Sequence, residues 1–441
     1  MVMGRLLAWT VAAVLLTTPA LALEDRVMVL TSYPDEMAAL FETAFEKAHP
    51  GTDVQVVWKQ SREAAALLRQ PDQGGIDVYW TPSLATFPAM RDAGAFRPLH
   101  VDRGALPGRI GAQPISDPKG FFEAFEVAGY GIVVNPATLA KLGLEEPRAW
   151  RDLTDSRYAG QVALPIAGQV GFSPALYDII LQGEGWERGW ALLSELAGNA
   201  QLIGSGGHIT DAVEVGTAAG LTVDFFARSA IANGHAVALA YPARTAFLPA
   251  QVAVTATAPH PDAARAFVDF VLGRDGQAIL FHPDVRRYPV RPEVYAAAPV
   301  GTVNPFARPE AGTFAYDPEL GIARAGLIAA VFERMIVERH DRLTALWAGI
   351  HRAEAALAKA PDPAAAALVA QARTLASAVP VSQVQATAPE LLAPFRTRRT
   401  AHDGDGDPAA VERAWSQQLD HAHGEALSLL ERALSVLPAG R

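Results

Sequence analysis

Short apolar runs alternate with helical stripes through the first two thirds of the chain, and that alternation leaves few folds open to it. Val27-Met28-Val29-Leu30 ends at Thr31-Ser32-Tyr33-Pro34, and Glu36 to Lys47 then carries Met37, Leu40, Phe41 and Phe45 at helical spacing. Val54 to Trp58 reads as a second strand, Ser61 to Leu68 as a helix with Ser61 at its N-cap, and Val78-Tyr79-Trp80 as a third strand. This order predicts an α/β fold with a parallel, doubly wound sheet. In such sheets ligands gather at the carboxyl ends of strands, which here are Ser32-Tyr33 and Thr81-Pro82-Ser83.

A second alternating segment opens at Gly129-Tyr130-Gly131-Ile132-Val133-Val134-Asn135-Pro136 and runs to Tyr241-Pro242. The glycines flanking Tyr130 give the backbone freedom, so this stretch reads either as a strand or as a crossing between two lobes. Val252 to Thr255 then forms a strand, and Pro261-Asp262 opens a helix with Ala264, Phe267, Val268 and Val271 on one face. From Gly301 onward the chain turns alanine-rich and helical. Ile328, Phe332, Met335, Leu343, Leu346 and Ile350 keep a stripe over about six turns, interrupted at Arg339. Pro361-Asp362-Pro363 breaks the pattern, and a last helix starts at Pro408 behind a capping Asp407. The expected organisation is one lobe from residues 23–127 and 250–300, a second from 128–249, and a helical C-terminal extension over 301–441.

Arg5 precedes an apolar run from Leu6 to Leu16, broken only by Thr10, and Ala20-Leu21-Ala22 follows. This is the pattern of a secretory signal peptide, residues 1–22, cut before Leu23. The run is shorter than the ~18 residues of a membrane span, so the mature chain is expected to be periplasmic and not membrane-embedded. Zero cysteines exclude disulfides and thiolate chemistry, leaving an exported protein to rely on core burial. The formal charge of −10 and the lack of a Lys/Arg run argue against nucleic acid or anionic lipid as partner. Bulk charge does not forbid a small anionic ligand, because backbone N–H groups at helix starts can hold one.

Gly220-Leu221-Thr222-Val223-Asp224-Phe225-Phe226-Ala227, then Val237 to Pro242, then Pro259-His260-Pro261-Asp262-Ala263-Ala264-Arg265-Ala266-Phe267 with Gly276-Gln277, resembles periplasmic solute-binding proteins of the iron(III)-binding type. Gly129 to Pro136 and Trp150-Arg151-Asp152-Leu153 fit the same pattern. The resemblance is closer to the phosphoglycerate transport regulatory protein family, because it continues through Gly185-Trp186-Glu187-Arg188-Gly189-Trp190 and into Leu343 to Ala356. It implies a two-lobe periplasmic binding protein of type II that captures a small organic anion, such as a phosphorylated three-carbon acid. The implied partner is an inner-membrane ABC permease or a sensor kinase. Iron-binding relatives use an adjacent tyrosine pair where this chain has Phe225-Phe226, and phenyl rings cannot coordinate a hard cation.

Residue by residue, Gly204-Ser205-Gly206-Gly207-His208 is the leading anion candidate, since small residues let N–H groups converge ahead of a helix; a surface turn is the plain alternative. Ser32 with Tyr33, and Thr81 with Ser83, offer hydroxyls after predicted strands or serve as helix caps. Asp224 either accepts from ligand hydroxyls or pairs with Arg228 one turn on. Arg62, Arg228 and Arg244 are the cations nearest the predicted strand ends. His421 and His423 point to different sides of a helix, and Asp403, Asp405 and Asp407 fail as a calcium loop because Pro408 stands where glycine is required. No metal or cofactor is expected. An exported hydrolase is the main rival function, yet GxSxG and HExxH are absent, so no enzyme activity is expected. The extension, poor in clustered polar groups, is expected to be dispensable for ligand affinity and to serve as a protein contact; the plain alternative is that it covers an apolar patch on the lobes.

Overall fold

The computed structural model describes residues 23–205, 207–307, 314–396 and 407–437. The expected signal segment 1–22, Gly206, Asp403, Asp405 and the side chain of Asp407 lie outside the described residues. Strand β1 (Arg26–Thr31), helix α1 (Asp35–Ala48), β2 (Asp53–Trp58), α2 (Ser61–Leu68), β3 (Val78–Thr81) and α3 (Thr86–Asp92) form the opening alternation, followed by a small hairpin of β4 (Arg109–Ile110) and β5 (Gln113–Pro114). The long β6 (Glu123–Val134) leads to α4 (Pro136–Leu142), β7 (Val162–Pro165), α5 (Ser173–Glu184), α6 (Trp186–Gly198), β8 (Ala200–Ile203), α7 (Gly207–Val215), β9 (Ala219–Val223), α8 (Asp224–Ala232) and β10 (Ala238–Ala240). Then come β11 (Phe247–Val254), α9 (Pro261–Leu272), α10 (Arg274–Ile279) and β12 (Tyr288–Pro289). Ser61 is the first helical residue of α2 rather than its cap; Gln60 holds the cap position and makes no side-chain cap bond.

The strands run in the order β2-β1-β3-β11-β6-β9-β7-β8, with β10 and β12 also paired to β6. The three expected opening strands are parallel neighbours, as Val29↔Val78 and Val27↔Val54 show. Strand β6 belongs to both halves of the molecule. Its first part pairs antiparallel with β11 from Val252↔Glu123 to Phe247↔Gly129, and its second part with β9 from Tyr130↔Val223 to Val134↔Ala219. The glycines beside Tyr130 are there for space rather than freedom. A Cβ on Gly129 would lie 2.5 Å from a ring carbon of Phe247, and one on Gly131 2.6 Å from the Ala240 carbonyl oxygen.

Beyond the sheet stand α11 (Pro318–Met335), α12 (His340–Lys359), α13 (Pro363–Ala376), α14 (Pro389–Phe395) and α15 (Asp407–Val436). The helical stripe is two rods, not one. A 3-10 turn at Val337–Arg339 divides them, and the buried Arg339 guanidinium donates to the Ser416 carbonyl at 2.9 Å and pairs with Asp420 at 3.1 Å. A charge taken from water must find such partners, and the turn aims it at α15.

Nor do these helices form a separate appendage, since they share a core with α5 and α6. Leu327, Phe332, Leu346 and Trp347 share one buried cluster with Tyr177, Trp186, Trp190 and Leu193 of α5 and α6. Tyr177 and Phe332 stack at 4.7 Å between ring centroids. The Trp186 indole N–H donates to the Val381 carbonyl and the Ser194 hydroxyl to the Ala376 carbonyl, each at 2.7 Å. Asp178 and Arg324, nearly inaccessible, form an ion pair joining α5 to α11. The first half keeps its own core around Val29, Phe41, Trp80, Phe125 and Phe267.

Candidate functional site

The strand ends and helix starts of both halves converge on a cavity of about 480 Å3. From the first half come Ser61 at the start of α2, Pro82 to Ala85 after β3, Glu126 and Ala128 of β6, Leu248 to Ala250 of β11, and Arg287 just before β12. The second half supplies Tyr130, Gly171 and Phe172 ahead of α5, Pro174 and Ala175 within it, Val223 and Phe225. Gly321, Ile322 and Ala325 bring α11 to the wall, with Tyr316 just ahead of it. The extension, expected to be dispensable for ligand affinity, thus contributes to the wall of this candidate cavity. Its first helix is packed on α5, whose N-terminal end opens on the same space.

Glu126 is the buried acid of this wall, 1% exposed in the middle of an apolar strand. One carboxylate oxygen accepts from the Tyr33 hydroxyl at 2.6 Å and from Arg287 at 3.4 Å. The other has no hydrogen-bond partner among the described residues. Burial pushes the carboxyl up, while Arg287 and the Tyr33 hydrogen bond work against that shift. Arg287 also lies 4.0 Å over the ring of Phe225, so a planar cation is held between an acid and an aromatic face.

Behind it, Asp224 is 1% exposed. Its carboxylate accepts from the Gly129 N–H at 2.6 Å and the Tyr241 hydroxyl at 2.9 Å. Burial raises its pKa to about 6, with Arg228 and those hydrogen bonds opposing. The ion pair weighed for Asp224 and Arg228 is not what forms. Arg228 donates instead to the Arg286 carbonyl at 2.7 Å and covers the Tyr288 ring at 3.9 Å. Arg286 in turn donates to the Ser229 hydroxyl at 2.9 Å, clasping α8 to the segment before β12.

Of the residues singled out from sequence, Ser83 lines the cavity, its hydroxyl 2.7 Å from that of Thr86. Ser32 and Thr81 bond each other at 2.5 Å and Tyr33 is buried, reaching the site through Glu126. Ser205 and Gly207 sit after β8, at the edge of the sheet, and line neither this cavity nor its neighbour of about 820 Å3. Arg62 is exposed, and Arg244 donates to the Gly183 carbonyl at 2.8 Å. Sequence reasoning missed Arg287, Glu126 and Tyr316. A glutamate inside an otherwise apolar strand was a signal for the second, since an acid there has to meet partners across the fold. His423, in α15, is fully buried with neither ring nitrogen partnered among the described residues.

Two α/β halves joined through shared strands, with a cavity between them, define a two-lobe periplasmic binding protein fold. The chain belongs to the family described as bacterial extracellular solute-binding protein, which matches residues 87–309. It is similar to the phosphoglycerate transport regulatory protein PgtC of Salmonella typhimurium, with 30% identity over 283 residues, 63% of this chain and 67% of that one. Among solved structures it resembles AfuA from Actinobacillus pleuropneumoniae, determined with fructose-6-phosphate bound, at 19% identity and a TM-score of 0.53, covering 73% of this chain and 97% of AfuA. Iron-bound HitA from Pseudomonas aeruginosa gives 16% identity and a TM-score of 0.56 over 69% of this chain and 98% of HitA. The resemblance expected from the sequence is thus shown. As a member of this family the chain is a periplasmic solute-binding protein of the kind that serves ABC transport systems. Among the described residues no helix is long and apolar enough to cross a membrane.

Proposed function

We propose that this protein captures a small organic anion, phosphate- or carboxylate-bearing, in the cavity between the lobes. The observation that carries the reading is Arg287, a cation set in the cavity wall and fixed by Glu126 and Phe225. A guanidinium so placed has N–H groups left to fork onto a phosphate or carboxylate. The neighbourhood of PgtC and of AfuA, whose names or bound ligand carry a phosphate, supports the same chemistry. Ser83 and Ser61 add hydroxyls to the wall. Phe225 faces the cavity as a phenyl ring, which favours an organic ligand over ferric iron.

The lobes in this reading are residues 23–127 with 250–300, and 128–249, hinged where β6 passes Gly129. Closure around the anion is the signal, read by an inner-membrane ABC permease or a sensor kinase. The test is a thermal-shift screen of the mature chain against phosphorylated and carboxylated metabolites, since a ligand at 100 times its Kd adds about 2.7 kcal/mol. A ligand that stabilises the wild type and not Arg287→Gln supports the proposal; a full panel of anions without a shift refutes it.

A further inference from the structure

We infer that the C-terminal extension is a third wall of the binding cavity and that it selects an anion carrying an apolar body, rather than a densely charged small metabolite. This rests on the anion reading above. Among the described residues that line the cavity, Arg287 is the single cation, and it already leans on Glu126. Two of the other polar groups are already engaged. The Ser83 hydroxyl is bonded to Thr86, and Tyr316 lies against Asp178 and is hydrogen-bonded to it. A ligand with several charges would leave some of them desolvated and unmatched, which is costly. The remaining wall is carbon: Leu84, Phe172, Val223, Phe225, Leu248 and, from the extension, Ile322.

The position of α11 is fixed rather than incidental. The buried Asp178–Arg324 ion pair ties it to α5. Gly321 and Gly326 let it come close, because an added Cβ would lie 2.0 Å from the Tyr316 hydroxyl oxygen and 1.9 Å from the Phe395 carbonyl oxygen respectively. Its own N-terminus is spent on Asp317, whose carboxylate accepts from the N–H groups of Glu319 and Leu320 at 2.9 and 3.1 Å. What α11 offers the ligand is therefore an apolar face, Ile322 with Ala325, half-buried in the wall.

The experiment is titration calorimetry of the mature chain with four probes: methyl phosphate, phenyl phosphate, 3-phosphoglycerate and benzyl alcohol. Phenyl phosphate is expected to bind at least tenfold tighter than methyl phosphate and tighter than 3-phosphoglycerate. In Ile322→Ser the phenyl-to-methyl ratio is expected to fall toward one, and in Ile322→Leu to persist, with thermal unfolding checking that both variants fold. Equal affinity for methyl and phenyl phosphate, tighter binding of 3-phosphoglycerate, or a ratio unchanged by Ile322→Ser would overturn the inference and leave the anion reading standing. Benzyl alcohol binding as tightly as phenyl phosphate would refute the anion reading and leave the apolar wall. No binding of any probe would overturn both.

Discussion

The guanidinium of Arg287 lies 4.0 Å from the ring centroid of Phe225, so a cation from the segment before β12 rests on an aromatic from the first turn of α8. One residue is carried by each half of the molecule. The contact therefore bridges the two halves beside the cavity.

Arg287→Gln is expected to lower anion affinity by about tenfold to a hundredfold, the worth of a charge-assisted hydrogen bond or two. Arg287→Lys recovers only part, since an ammonium neither forks onto the anion nor stacks flat on Phe225. Calorimetry on the three proteins with one stabilising ligand checks this. Equal affinities would remove Arg287 from the site.

Asp178 and Arg324 are buried to 0% and 3% side-chain exposure. Arg324→Leu leaves an uncompensated buried carboxylate and is expected to cost about 3–5 kcal/mol. The double variant Asp178→Leu/Arg324→Leu should regain most of it, because two apolar groups need no partners. Urea unfolding of the single and double variants measures the difference, and a double variant as unstable as the single would contradict the account.

Truncation after Val300 is expected to abolish folding of the second lobe. Leu327, Ile328, Val331, Phe332 and Met335 are all fully buried, in one cluster with residues of α5 and α6. Each side chain contributes about 1.5–3 kcal/mol by its burial, so their loss together rivals the ~5–15 kcal/mol of a whole domain. This reverses the expectation of a soluble, ligand-binding fragment drawn from the sequence. Size-exclusion chromatography and near-ultraviolet circular dichroism decide it: a monomeric fragment with native tertiary signal would restore the dispensable tail.

Two buried groups pull stability in opposite directions with pH. Asp224 is raised from 3.8 to about 6, chiefly by burial. Between those values the folded chain keeps a proton the unfolded chain has lost, so its contribution falls as pH rises through the window and levels off above it. His423 is lowered from 6.5 to about 4, chiefly by burial. Across that range the unfolded chain binds the extra proton, so stability is lost as pH falls. Each shift corresponds to about 3 kcal/mol. His423→Phe is expected to expose the decline toward higher pH, and Asp224→Asn, which keeps acceptors for Gly129 and Tyr241, the decline toward lower pH. Denaturant midpoints from pH 4 to 7 read both, and parallel profiles for wild type and variants would show the groups titrate alike folded and unfolded.

Much of the fold was legible along the chain. The apolar runs at Val27, Val54 and Val78 became adjacent parallel strands, because a run of that length between turn signals has no better place to bury itself than a sheet with both faces covered. The helices at Glu36, Ser61 and Pro261 followed from their stripes. The family was carried by segments whose order survives in the structure, and Ser83, after β3, lines the candidate cavity for the same local reason.

The site itself was less legible. Glu126 and Arg287 are far apart in sequence and meet only because β12 pairs with β6. Ser205 and Gly207 read as an anion loop by composition; β8 takes the sheet edge, and neither residue lines the candidate cavity. The extension was read as helical, which its periodicity determines; that its apolar faces close over α5 and α6, and that α11 reaches the cavity, was decided by which other apolar faces remained uncovered. Sequence by itself fixes the period and polarity of each element, since those depend on neighbours a few residues away. Which charges and faces meet depends on long-range pairing, and only the tertiary structure decided that Arg287, Glu126, Phe225 and Ile322 would share one space.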